Sequence, residues 1–113
     1  MMSRRLVVPS TGFFEWKHTE GKKQKEKYWF RLHDSHVLYM AGLYTECKQP
    51  DGSAEKRFVI LTTGANPSMA GIHDRMPVIL MGDQIGKWQK DTDASLEILQ
   101  EMPPELEKMV IWQ

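Results

Sequence analysis

Tyr28-Trp29-Phe30-Arg31-Leu32-His33-Asp34-Ser35-His36-Val37-Leu38-Tyr39-Met40-Ala41-Gly42-Leu43-Tyr44-Thr45-Glu46 sets the fold class of this chain. Two runs rich in aromatic and aliphatic residues, Tyr28–Leu32 and Val37–Glu46, read as strands, and Asp34-Ser35 between them reads as a tight hairpin turn. Pro50-Asp51-Gly52-Ser53 supplies a second turn of the expected residue types. Connections this short cannot cross over between parallel strands, so the pattern predicts an antiparallel meander.

Outward from this centre the period stays mostly two. Strands are predicted at Leu6–Val8, Gly12–Trp16, Arg57–Thr63 and Val78–Leu80, with a last one beginning at Met109 and running to Trp112. Helical signals are confined to the second half. Asn66-Pro67 starts a short turn, followed by Gly82–Gln89 and by Ala94–Met102, the latter capped by Asp93 and stopped by Pro103-Pro104. The class is α+β with a mainly antiparallel sheet.

The 113 residues suit one domain or part of one, and 41% hydrophobic with 27% charged residues is a folding composition. The longest apolar run, residues 37–44, is far short of a membrane helix, and Met1-Met2-Ser3-Arg4-Arg5 has no apolar stretch behind its charges. With a single cysteine, Cys47, the expectation is a reduced, cytoplasmic protein without membrane partners. A net charge of +0 hides a polarity. Residues 1–33 hold eight basic and three acidic groups, whereas residues 91–108 hold one and six. That excludes a generic polyanion binder but allows one basic face; Lys17 to Lys27 is either that face or a solvated loop.

Two segments carry chemistry. In Gly12-Phe13-Phe14-Glu15-Trp16, alternation puts Glu15 on the side of Phe13 if Phe14 and Trp16 face the other way. A carboxylate against apolar surface suits proton transfer, although an edge-strand glutamate paired with a lysine fits the same residues. Ile72-His73-Asp74-Arg75-Met76-Pro77 either points His73 into a cleft with Arg75 as an anion-binding fork, or is a self-satisfied turn network. His33 and His36 lack the accompanying carboxylates of a metal site, and neither metal nor cofactor is expected. Cys47 reads as a packed thiol, and Trp16 and Trp29 beside the lysines have the makings of a base-stacking surface.

Arg4-Arg5-Leu6-Val7-Val8-Pro9-Ser10-Thr11-Gly12-Phe13-Phe14-Glu15-Trp16-Lys17, Ala41-Gly42-Leu43-Tyr44, Phe58–Asn66 and Ile72–Leu80, in this order, resemble the motifs of the SOS-response-associated peptidase (SRAP) family. The resemblance implies a barrel-like antiparallel sheet. It also implies a protein that binds single-stranded DNA at an abasic site and caps it in a covalent crosslink, an activity with which a peptidase function was also associated. In the family the α-amine of an N-terminal cysteine attacks the sugar aldehyde and its thiol closes a thiazolidine ring. Carried over by motif, Glu15 and His73 would be catalytic, and Arg4, Arg5, Trp16, Thr62 and Arg75 would contact DNA. Met2 stands where the family has its cysteine, and the family's upstream segment has no counterpart in these residues. The expectation is a single partial domain over residues 1–113 that binds but does not crosslink. Two other readings are a non-catalytic nucleic-acid-binding remnant and an interaction module that self-associates, or is completed by another chain, through exposed sheet edges.

Overall fold

A computed structural model of the chain describes residues 4–17 and 26–111. Met2, the Lys22, Lys23 and Lys25 stretch, and Trp112 lie outside the described residues. The elements in chain order are β1 (Arg4–Ser10), β2 (Phe13–Lys17), β3 (Glu26–Leu32), β4 (Leu38–Lys48), β5 (Ala54–Ile60), β6 (Thr62–Gly64), α1 (Pro67–Ala70), β7 (Arg75–Pro77), β8 (Ile79–Leu80), α2 (Gln84–Lys90), α3 (Thr92–Ile98) and β9 (Leu106–Ile111). All pairings among them are antiparallel: β1-β4-β5 with β8 also on β4, β2-β3-β9, and β6-β7. The antiparallel α+β class read from the sequence is the one the chain adopts, and the described sheets do not close into a barrel.

β4 organises the core because it is buried on both faces. Leu38 and Met40 point into a cluster with Phe30, Leu32, Met69, Ile72, Met76, Ile79 and Leu106, so this cluster lies between the two larger sheets. Ala41 points the other way, into a cluster with Val78, Leu80, Trp88 and Ile98 beneath the two longer helices. A strand covered on both sides has no polar face to show, which is why residues 37–44 form an unbroken apolar run. Phe30 and Trp88 are fully buried, each worth about 1.5–3 kcal/mol of apolar transfer. Pro9 sits in β1, which among the described residues has a strand, β4, on one side only, the kind of edge position where proline is tolerated.

Four sequence expectations are corrected. Asp34-Ser35 is not a hairpin turn: β3 pairs with β2 and β9, while β4 pairs with β1, β5 and β8, so the turn carries the chain between sheets. The Arg57–Thr63 strand breaks at Leu61, whose N–H donates to Ala41 O and whose carbonyl accepts from Val78 N, splitting it into β5 and β6. The cap of α3 is Asp91, whose carboxylate accepts the Ala94 N–H, and Asp93 lies inside the first turn. The last strand begins at Leu106, three residues before Met109, because it follows directly on the anchored Pro103-Pro104 segment. The Pro50–Ser53 turn is present: the Asp51 carboxylate accepts from the Ser53 N–H and hydroxyl, and Gly52 takes φ 89°.

Candidate functional site

The segment from Asn66 to Pro77 is a loop fixed at both ends. Asn66 caps α1, its side-chain oxygen accepting from Ser68 N and Oγ. Its side-chain nitrogen donates to the carbonyls of Pro103 and Pro104, at 2.9 and 2.8 Å. With every side-chain bonding position used and only 2% of its surface exposed, Asn66 ties α1 to the segment leading into β9. The next turn then places His73, whose N–H donates to Met69 O, while Ala65 N donates to Asp74 O across the loop.

Within that loop the His73 ring folds back on its own backbone. Nδ1 faces the Arg75 backbone, accepting from Arg75 N–H at 3.1 Å when the proton is on Nε2 and reaching Arg75 O at 3.3 Å as a donor when it is on Nδ1. Asp74 Oδ1 stands 3.4 Å from the same nitrogen and forms an ion pair only when the ring is protonated. Arg75 Nη2 donates to Thr62 O at 2.8 Å and to Thr62 Oγ1 at 3.1 Å, across the β6-β7 ladder. The guanidinium keeps Nε and Nη1 free of hydrogen bonds among the described residues. Thr62, His73 and Arg75 are therefore one hydrogen-bonded unit.

Glu15 comes from the other sheet. Phe14 and Trp16 are 55% and 38% exposed, while Phe13 stacks on Phe30 with ring centroids 5.4 Å apart. The alternation thus runs as the sequence indicates, and Glu15 shares the inner face with Phe13, opposite Tyr28 in the ladder. No described residue gives the carboxylate a hydrogen bond or ion pair, so the lysine-paired edge glutamate is not what is found among them. Phe13 and Tyr28 pack on the same cluster that holds Ile72 and Met76, the residues flanking the His73-Asp74-Arg75 turn.

Arg4 shares the β1 face of Val8, which packs on this cluster, and the Tyr44 hydroxyl bonded to its guanidinium raises its pKa above the usual value. Arg5 points the other way, its Nε donating to Trp88 O while Trp88 Nε1 donates to Leu6 O. Trp16 stands on the outer face of β2, opposite to Glu15. The strand bearing Glu15, through Phe13 and Tyr28, and the turn bearing His73, through Ile72 and Met76, therefore flank one cluster. Thr62 and Arg75 lie on the face of the β6-β7 ladder opposite to Met76, Arg4 stands four residues along β1 from Val8, and Arg5 and Trp16 turn elsewhere. Away from this region, His33 bonds Glu107 across to β9, and Cys47 is a half-buried free thiol. Asn66 is legible in the sequence as a cap, but its hold on Pro103 and Pro104 is not, because local sequence says nothing of carbonyls 37 and 38 residues away.

A family model described as SOS response associated peptidase (SRAP) matches residues 1–113. The chain is 33% identical over 102 residues to the abasic site processing protein YoqW of Bacillus subtilis (strain 168), covering 90% of this chain and 45% of that protein. It is 31% identical over 103 residues to the abasic site processing protein HMCES of Xenopus tropicalis, covering 75% of this chain and 30% of that one. A crystal structure of a Bacteroides thetaiotaomicron protein superposes with a TM-score of 0.85 at 29% identity, over 96% of this chain and 50% of that one. The chain spans less than half the length of these curated relatives.

Proposed function

The chain belongs to the SOS response associated peptidase (SRAP) family, and from that premise we propose that it binds single-stranded DNA at an abasic site, with Glu15 and His73 as the proton-moving pair. What supports this reading is that the strand bearing Glu15 and the turn bearing His73 flank one apolar cluster, with Thr62 and Arg75 hydrogen-bonded to each other and His73 held on the Arg75 backbone. A carboxylate without a partner among the described residues can take and return protons as the abasic sugar ring opens. The His73 ring, anchored through Nδ1 to the Arg75 backbone, leaves Nε2 to exchange a proton with a sugar oxygen. Arg75, pinned by Thr62 through one nitrogen, presents its other edge to a phosphate. Trp16 and Arg5 contribute from other faces or not at all. Cytoplasmic DNA is the partner this reading requires; no helix among the described residues is long and apolar enough to cross a membrane.

Within these 113 residues the one thiol is Cys47, inside β4, where its nitrogen is a peptide nitrogen. A thiazolidine needs a free α-amine and a thiol on the same residue, so this chain by itself holds the sugar without closing that ring. Incubation with an abasic-site oligonucleotide, followed by a denaturing gel, should show no heat-stable adduct. In anisotropy titrations the abasic oligonucleotide should bind more tightly than its intact counterpart, and Glu15→Gln with His73→Ala should abolish the difference. A heat-stable, thiol-dependent adduct, or equal affinity for the two oligonucleotides, contradicts this reading.

A second reading rests on β5, which has no strand on its outer edge among the described residues and exposes Phe58 and Val59, at 63% and 58%. Such an edge pairs with another chain unless charge blocks it, and Lys56 and Arg57 supply some of that charge.

A further inference from the structure

We propose that the outer face of the β2-β3-β9 sheet is a stacking platform for intact single-stranded DNA, on the side of the sheet away from Glu15. The inference rests on the reading of the chain as a single-strand binder and adds a second surface to it. The ladder registers set this face out in rows. Trp16, Lys27 and Ile111 form one; Phe14, Trp29 and Met109 the next; Arg31 and Glu107 the third. Neighbouring rows are two residues apart along the strands, about 7 Å.

Aromatic rings and cations interleave across the rows. Lys27 Nζ lies 4.4 Å from the Phe14 ring centroid and 5.4 Å from that of Trp16, and Arg31 Cζ lies 5.7 Å from Trp29. Beside them a groove of about 300 Å³ is walled by Trp29, Arg31, Glu107, Lys108 and Met109. Phe14 is more than half exposed and Trp16 38% exposed, with Met109 open beside them and Trp29 half-buried between them and Arg31. Trp29 is held in place beforehand, because a side chain on Gly12 would put a carbon 2.2 Å from its Nε1. The indole occupies the space that only glycine leaves.

The charge pattern chooses the occupant. An apolar partner would bury Lys27, which has no carboxylate partner among the described residues, at a large desolvation penalty. Two copies laid face to face would set cation near cation. A polymer of flat bases joined by phosphates meets both demands, with bases on the rings and phosphates on Lys27 and Arg31. Glu107 is the one carboxylate in the described rows, and it is held by Arg31 and His33.

The test follows the tryptophan indole N–H signals of the 15N-labelled chain during titration with dT8, and with the same oligonucleotide bearing an abasic site. Trp29 should shift with both ligands, while Trp88, buried and bonded to Leu6 O, stays put and reports an intact fold. The pair of changes Lys27→Gln and Arg31→Gln should weaken dT8 by about tenfold at low salt and reduce the salt slope by roughly 1.4. Trp29→Leu should weaken it by about tenfold as well. An abasic oligonucleotide that binds while Trp29 is silent overturns the platform alone, and no binding of either ligand overturns both readings. A Trp29 shift that follows protein concentration without DNA overturns it in favour of a second copy. Equal loss of both ligands in the double variant supports the platform, whether or not the abasic site is preferred.

Discussion

The two faces of the β2-β3-β9 sheet are built from alternate residues of the same strands, yet they are held by different forces. On the inner face Phe13, Phe30, Leu32 and Leu106 pack into the intersheet cluster, and Glu15 is carried at its margin. On the outer face Phe14, Trp16 and Trp29 meet Lys27 and Arg31 in solvent-facing cation–ring contacts. The first face supplies stability and positions a carboxylate. The second leaves Phe14, Trp16 and Met109 open to solvent.

Truncation on either side of this sheet separates the two roles most widely. Phe30→Ala, at a fully buried position, should destabilise the chain by about 3–5 kcal/mol, seen as a fall in the urea midpoint. Trp16→Ala, on the neighbouring strand but facing out, should change stability by roughly 0.5 kcal/mol or less. Equal losses would mean that the outer face is also structural. Gly12→Ala strikes both faces at once, since the new carbon would stand 2.2 Å from Trp29 Nε1 and 2.5 Å from the Phe30 carbonyl oxygen. Backbone cannot yield as a side-chain tip can, so about 2–3 kcal/mol should be lost by the same measurement.

The smallest effect concerns the third row of the outer face. The hydrogen bond that the His33 ring donates to Glu107, and then the Glu107 charge, raises the His33 pKa above its ordinary 6.5; the hydrogen bonds accepted from His33 and Arg31 lower that of Glu107 below its ordinary 4.5. The stabilisation from His33 is complete below pH 6.5 and is lost as pH rises through its raised value. That from Glu107 is complete above pH 4.5 and is lost as pH falls through its lowered value. The difference in urea midpoint between the chain and its His33→Ala variant should therefore be widest between pH 4.5 and 6.5 and shrink on both sides. A pH-independent difference would show that His33 acts by packing alone.

What the sequence made legible was local. Strand alternation placed Glu15 with Phe13, because a period of two leaves no other choice once Phe14 and Trp16 face out. The apolar run at residues 37–44 was legible as a strand, but burial on both faces, which its unbroken character reflects, needed the partners of β4 to be seen. Asp34-Ser35 has turn chemistry, and turn chemistry says that the chain bends without saying which sheet the next strand joins. Leu61 interrupts a run of good strand formers only because Ala41 and Val78 claim its backbone groups. Motif resemblance pointed to Glu15, His73 and Arg75, but it could not show that Arg5 is spent on a helix carbonyl or that Trp16 turns away from Glu15.

The pairing of β3 with β9 also bears on how the chain folds during its synthesis. Leu32 lies opposite Leu106, so the β2-β3 hairpin waits for about 75 residues of further chain. At ribosomal rates of 5–20 residues per second that delay is roughly 4–15 s. Throughout it, one edge of β3 is unpaired beside a stretch of aromatic side chains, a combination prone to pairing with other nascent chains. Lys27 and Arg31 interrupt that stretch at alternate positions with Trp29 between them, where charges act as gatekeepers against aggregation. The side chains that would meet phosphate in the finished protein thus guard the unfinished one.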